Sequence, residues 1–398
     1  MFEDLERRLA ELVVTAGANV QVGQIVSIGS EPGKERLTRA VAEAAYRSGA
    51  RFVDVNYFDP WVKRSRLLHA AEKTLDFVPS WYGERMLALG DQRCARIGLS
   101  GNAAPGLLDD LDPSRAGKDM LPWIEEAAKV VGDATTNWTI CPAPTPGWAG
   151  LVHPDLEPDA ALERLWEQIV HICRLDEPDP TEAWNERFDA LGAVAGRLTE
   201  RRFDRLHFEG PGTNLKVGLL PRSRWLAARL ETVDGILHLP NLPSEEVFTT
   251  PDPQRAEGTV TATKPLDLQG TTVRGLRVRF EGGRAVEIEA ETGAEALRAR
   301  AARDGGAARL GEVALVDADG RIGALDTVFY DTLLDENAAS HVALGRAYPM
   351  GVEEGDLERI NESSIHIDFM IGSPEVSVSG VTADGDRVPV LVGGAWQI

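Results

Sequence analysis

Hydrophobic positions recur along this chain with two different periods, and the dominant period changes near the middle. Leu5, Leu9, Leu12 and Val13 fall at helical spacing. Ile25 to Gly29 reads as a short strand. Leu37, Ala40, Val41, Ala44 and Ala45 then repeat at i, i+3, i+4, i+7 and i+8, which predicts an amphipathic helix stopped by Gly49. Phe52 to Tyr57 follows as another strand. A strand, a crossover helix and a strand predict a parallel pair. A helix over Trp81 to Leu89 and a strand over Ala95 to Ser100 continue the alternation.

The middle reads as helical. Asp159 to Cys173 and Pro180 to Leu198 carry apolar stripes, and acidic residues in their first turns suit the helix dipole. From about Leu206 the period shortens to two. Leu276, Val278 and Phe280 alternate with Arg277, Arg279 and Glu281. Gly282-Gly283 then makes a turn, and Val286 and Ile288 continue on the return strand. The C-terminal stretch repeats this design around Asp384-Gly385. The shift in pattern predicts two domains, 1–200 and 201–398, the first α/β with parallel strands and the second strand-rich α+β. A length of 398 residues also exceeds one ordinary domain.

Charge narrows the function classes. The formal net charge is −21, the opposite of the basic footprint that nucleic-acid binding or an anionic membrane surface requires. The first residues, MFEDLERRLAELV, lack an apolar signal core, and no apolar run reaches the roughly 18–20 residues of a membrane helix. The expectation is a cytoplasmic protein. Cys94, Cys141 and Cys173 are odd in number and far apart, so no disulfide framework or CxxC metal site is expected. No GxxxxGK[ST] or GxGxxG motif supports nucleotide binding.

Two of the seven histidines stand in segments suited to ligation. In SSIHIDFMIG, Ile365, Ile367 and Phe369 take one face of a strand, and His366 and Asp368 take the other, about 6.5–7 Å apart at the backbone. An imidazole and a carboxylate can converge on one ion from that spacing. The apolar surroundings predict little exposure, where a bare carboxylate is costly without a partner. In LLDENAASHVALGRAYP, Asp335 or Asn337 is expected to cap a helix that runs through His341 to Gly345, with Asn337 and His341 as i, i+4 neighbours and Glu336 at the helix mouth. Ordinary capping beside a satisfied core histidine is the competing reading. Glu246, in NLPSEEVFTTPD, and Glu312, opening EVALV, are further candidates, with a solvated strand end as the alternative for each. Histidine and carboxylate ligands without cysteine suit zinc, cobalt, manganese or magnesium.

PNLPSEEVFTTPD, LGEVAL, FYDTLLDENAASHVALGRAYP and IHIDFMIGSPE resemble the thermophilic-type aminopeptidases, peptidase family M29. NVQVGQIV, RFVDVNYFDP and VPSWYGERM extend the likeness over essentially the whole chain. Ser244 stands where that family commonly has threonine, and Asn214 where it usually has aspartate. The resemblance implies an α/β N-terminal domain, a C-terminal metal domain, a dimer and broad removal of N-terminal residues with two divalent metal ions. Carried over position by position, the metal ligands are Glu246, Glu312, Glu336, His341, His366 and Asp368, with Glu312 as the candidate bridge. Tyr348 is the implied catalytic tyrosine. The implied partners are short peptides with a free N-terminus. The competing assignments are another metal-dependent amide hydrolase, such as a dipeptidase, and a non-catalytic peptide-binding metalloprotein.

Overall fold

Four parallel strands form the first sheet, in the order Phe52–Tyr57, Ile25–Ser30, Ala95–Ser100 and Trp138–Pro142. The computed structural model describes residues 2–119, 121–122, 124–227, 229–268, 271–318 and 320–398. Helix Glu35–Arg47 makes the crossover between the first two strands in sequence, and it buries Leu37, Val41, Ala44 and Ala45 on one side. Gly49 follows it at φ 89°, the left-handed conformation in which glycine commonly ends a helix. This sheet belongs to a compact unit that runs up to Phe188 and takes in the stretch ending at Ser244 and Phe329–Leu333.

The second unit comprises Asp189–Ala227, Glu245–Val328 and Leu334–Ile398. Among the described residues it contains two extended antiparallel sheets and a two-stranded one, Leu266–Asp267 with Thr272–Val273. The larger has eight strands, in the order 284–289, 277–281, 251–261, 213–219, 205–210, 377–381, 387–392 and 395–396. Its hairpin from Arg277–Glu281 to Arg284–Glu289 turns on Gly282 and Gly283, at φ 55° and 76°. A Cβ on Gly283 would stand 2.2 Å from the carbonyl oxygen of Pro253, so no other residue fits that turn unchanged.

The smaller sheet has five strands, in the order His366–Met370, His341–Gly345, Leu310–Val316, Glu246–Thr249 and Leu226–Ala227. Every residue of the Leu310–Val316 and His341–Gly345 strands is buried. A charged or polar side chain on these central strands is therefore withdrawn from water and needs a specific partner. Among the described residues, no helix is long and apolar enough to cross a membrane.

The expected helix through His341 does not form. A short helix spans Thr332–Glu336, and His341–Gly345 is a strand paired on both edges, to Leu310–Val316 and to His366–Met370. The helical character of AASHVAL is a weak local preference, and the two flanking strands override it by bonding the backbone of each turn of sequence from both sides. Asn337 and His341 are thus not neighbours on a helix. The Asn337 side chain instead accepts a hydrogen bond from the Glu245 backbone N–H at 2.7 Å.

Candidate metal centre

Register across the five-stranded sheet brings the candidate ligands onto one face. Glu312 lies opposite Ala343, and Ala343 opposite Asp368. One step along, Phe248 lies opposite Ala314, and Ala314 opposite His341. Because side chains alternate along a strand, Glu246 shares this face with Phe248, His341 with Ala343, and His366 with Asp368. Ala314 and Ala343 form a floor of small, fully buried side chains. Larger residues there would fill the space in which the acidic and imidazole groups meet.

A β-bulge aims Glu312 into that space. The register slips between Leu310 and Glu312, which leaves Gly311 without a partner opposite. A Cβ at Gly311 would lie 2.3 Å from the Gly345 carbonyl oxygen and 2.4 Å from that of Arg346. Only glycine allows so close an approach. The Arg346 carbonyl in turn accepts a hydrogen bond from His366 Nδ1 at 2.7 Å, so one tight crossing serves two of the candidate ligands.

Both histidines are oriented in the same way. His341 Nδ1 faces the carbonyl oxygens of Glu336 and Ala339, at 3.0 and 3.2 Å. Carbonyls only accept, so each ring carries its hydrogen on Nδ1 and turns Nε2 toward the carboxylates. His341 Nε2 is 3.2 Å from Glu246 Oε2 and 3.9 Å from Glu312 Oε1. His366 Nε2 is 3.3 Å from Glu312 Oε2 and 3.3 Å from Asp368 Oδ1. A backbone carbonyl behind the ring and a free Nε2 in front is the arrangement that metal-ligating histidines adopt.

Ligand atoms of Glu246, Glu312 and His341 lie within 4.8 Å of one another, as do those of Glu312, His366 and Asp368, and those of Glu336, His341 and Asp368. The three groups share members, so all six side chains form one cluster. Glu246, Glu312 and Asp368 have no Lys or Arg partner among the described residues, and their ion partners are the two histidines. Glu246 Oε2 is buried and accepts no hydrogen bond. Such a site demands positive charge.

Proton affinities express the same demand. Burial opposes a charge on His341, yet Glu246 beside it, with Asp368 and Glu336 behind, pushes its pKa up to about 10. His366 is likewise raised against burial, by Tyr348, Asp368 and Glu312 around it. Burial raises Glu312, and it raises Glu336 well above the usual carboxylate range, with Asp368 and Glu246 adding to the effect. Asp368 stays low despite its burial because His366 faces it. Cations that replace the protons on Nε2 satisfy the same oxygens, so the donor set fits a metal centre.

Tyr348 stands at the edge of the cluster. Its ring centroid is 4.8 Å from that of His366 and 6.2 Å from that of Phe248, the latter edge-on at 70°. Thr250 Oγ1 donates to its carbonyl at 2.7 Å. The phenol pKa is raised, chiefly by burial, so the hydroxyl keeps its proton and can donate it. Sequence reasoning alone passes over Phe248, Gly311, Ala314 and Ala343. The small residues at Ala314 and Ala343, within otherwise bulky strands, are the signal that marks the floor.

The comparisons with known proteins extend over the whole chain. The family model described as thermophilic metalloprotease (M29) matches residues 2–396. Aminopeptidase T of Thermus aquaticus is 43% identical over 406 residues, covering 100% of this chain and 99% of that protein. Aminopeptidase 2 of Geobacillus stearothermophilus is 36% identical over 400 residues, covering 98% of this chain and 97% of its own length. The solved structure of wild-type AmpT from Thermus thermophilus superposes with a TM-score of 0.90 at 42% identity, covering both chains in full.

Proposed function

The chain belongs to the thermophilic metalloprotease (M29) family and is a metal-dependent aminopeptidase, and we propose that it trims short peptides from their free N-terminus with two divalent ions held by the six clustered side chains. The observation that carries this reading is the convergence of four carboxylates and two imidazoles at one face of the five-stranded sheet, five of them contributed by its strands and Glu336 by the short helix, with His341 buried and His366 half-buried. Four ionised carboxylates bring a charge of −4 against neutral imidazoles, and two divalent cations bring +4. One ion alone would leave the buried set strongly anionic, which is costly.

In this assignment Glu246 and His341 would hold one ion, and His366 and Asp368 the other. Glu312, which faces both histidines, would serve both ions. Glu336 completes the shell near His341 and Asp368. When bound, zinc, cobalt, manganese or magnesium ions supply Lewis acidity and lower the pKa of water from 15.7 toward about 7.

The chain's own groups do the rest. The acidic cluster receives the substrate's α-amine, which sets the first peptide carbonyl over the site and makes the enzyme an exopeptidase. The Tyr348 hydroxyl donates to the oxygen of that carbonyl as negative charge develops on it. A glutamate that holds its ion only loosely, Glu246 or Glu312, is our candidate for the group that takes the proton of the attacking water and returns it to the leaving amine.

Chelation provides the test. Stripping the enzyme with a strong chelator is expected to abolish cleavage of leucine p-nitroanilide, and adding back zinc, cobalt, manganese or magnesium to restore it. Full activity in a thoroughly metal-free sample would contradict the proposal.

A further inference from the structure

Asn337 is a buried, uncharged side chain that ties together two strand or helix ends carrying candidate ligands. It is fully buried, at 0% exposure. Its Oδ1 accepts from the Glu245 backbone N–H at 2.7 Å, and Glu245 is the residue before Glu246. Its Nδ2 faces Glu336 Oε1 at 3.5 Å, and Glu336 is the residue before Asn337 itself. Glu246 begins a strand of the sheet, whereas Glu336 ends the short helix Thr332–Glu336. Glu245 and Asn337 are 92 positions apart in the chain, and among the described residues the strand Glu246–Thr249 pairs with Leu310–Val316 and Leu226–Ala227, not with the segment of Glu336. The carboxylates of Glu246 and Glu336 must nevertheless meet the same imidazole, that of His341.

We propose that Asn337 is a positioning residue for the metal centre: its amide fixes the backbone entering Glu246 against the segment carrying Glu336, and so sets the spacing of two ligands. The proposal rests on the assignment of Glu246 and Glu336 as ligands. The physical need is plain. Two like-charged carboxylates that must converge on one ion repel each other until it arrives, and the segments that carry them part unless something neutral and rigid holds them. An amide does so without adding charge. A carboxylate in its place would keep an acceptor for the Glu245 N–H while losing the donor toward Glu336. Serine is one atom shorter and cannot span to the Glu245 N–H in the same way. Outer-shell contacts of this kind typically contribute 10–100-fold to metal affinity.

The test is zinc titration of the full-length protein against a chromophoric chelator, for the wild type and for Asn337→Ala, Asn337→Ser and Asn337→Asp, with thermal midpoints recorded with and without saturating zinc. Asn337→Ala and Asn337→Ser are expected to bind zinc about 10–100-fold more weakly and to gain less midpoint from zinc than the wild type does. Asn337→Asp, which retains the acceptor for the Glu245 N–H but sets a second negative charge beside Glu336, is expected to recover only part of that affinity. Asn337→Ser and Asn337→Asp keep the comparison open should Asn337→Ala not fold. Lowered midpoints with an unchanged zinc increment and unchanged affinity would mean a purely structural residue and would overturn the proposal, as would an Asn337→Asp variant as weak as the other two. Failure of the wild type to bind zinc, cobalt or manganese would instead refute the metal assignment itself.

Discussion

Replacing His341 or Asp368 by alanine is expected to remove bound metal and turnover together. Each lies in more than one of the ligand groups: His341 is shared by the Glu246–Glu312 and Glu336–Asp368 sets, and Asp368 by the Glu312–His366 and Glu336–His341 sets. Loss of either therefore takes a ligand from one proposed ion position and breaks the group it forms with Glu336. Outer-shell substitutions commonly cost 10–100-fold, and removal of a ligand itself should exceed that, so kcat/KM is expected to fall by more than about a hundredfold. The metal-free variants should still fold. The wild-type cluster without metal already carries the repulsion of buried carboxylates, and Asp368→Ala removes one of those charges. The control is His69→Ala, an exposed position in the parallel-sheet unit, which should leave metal content and activity nearly unchanged. Elemental analysis of the purified variants decides the matter, since unchanged metal in His341→Ala and Asp368→Ala would refute this placement of the centre.

Tyr348→Phe is expected to act on the rate and leave the metal in place. The ring contacts with His366 and Phe248 survive the substitution, and so does the backbone bond from Thr250. Only the hydroxyl is lost. Removing one preorganised donor to a developing oxyanion costs about 10²–10³ in kcat. We therefore expect kcat to fall by about a hundredfold or more with KM and metal content close to wild type. A wild-type kcat in this variant would reduce Tyr348 to a packing residue beside His366.

How far the site was legible differs from segment to segment. IHIDF shows by its alternation that His366 and Asp368 share a strand face, and they do. The strand–helix–strand pattern from Ile25 to Tyr57 likewise gives the parallel pair, because each element is periodic and the crossover is local. DENAASHVALG misleads, since its local composition suits a helix while its role depends on strands supplied by distant segments. The convergence of Glu246, Glu312, His341 and His366 is not written in any one of their motifs. It follows from which strands are neighbours and from the bulge at Gly311, both of which are decided by pairing across the sheet. Family resemblance supplies these four positions, with Glu336 and Asp368, because it carries that pairing implicitly. The bracing role of Asn337 was hidden by its reading as a helix cap: the same side-chain oxygen that could cap a helix instead binds the backbone of another strand.

The most direct measurement follows two tripeptides through the metal-loaded enzyme by mass spectrometry. Leu-Gly-Gly presents a free α-amine to the acidic cluster. N-acetyl-Leu-Gly-Gly lacks that amine's charge and lone pair, and adds bulk where the pocket for the first residue should end. Orientation by the amine can supply a large share of the rate, and its loss leaves buried groups without a partner in the complex. The account predicts stepwise loss of single residues from the N-terminus of Leu-Gly-Gly, with N-acetyl-Leu-Gly-Gly essentially untouched. Comparable cleavage of the acetylated peptide, or internal cuts in a longer one, would contradict it.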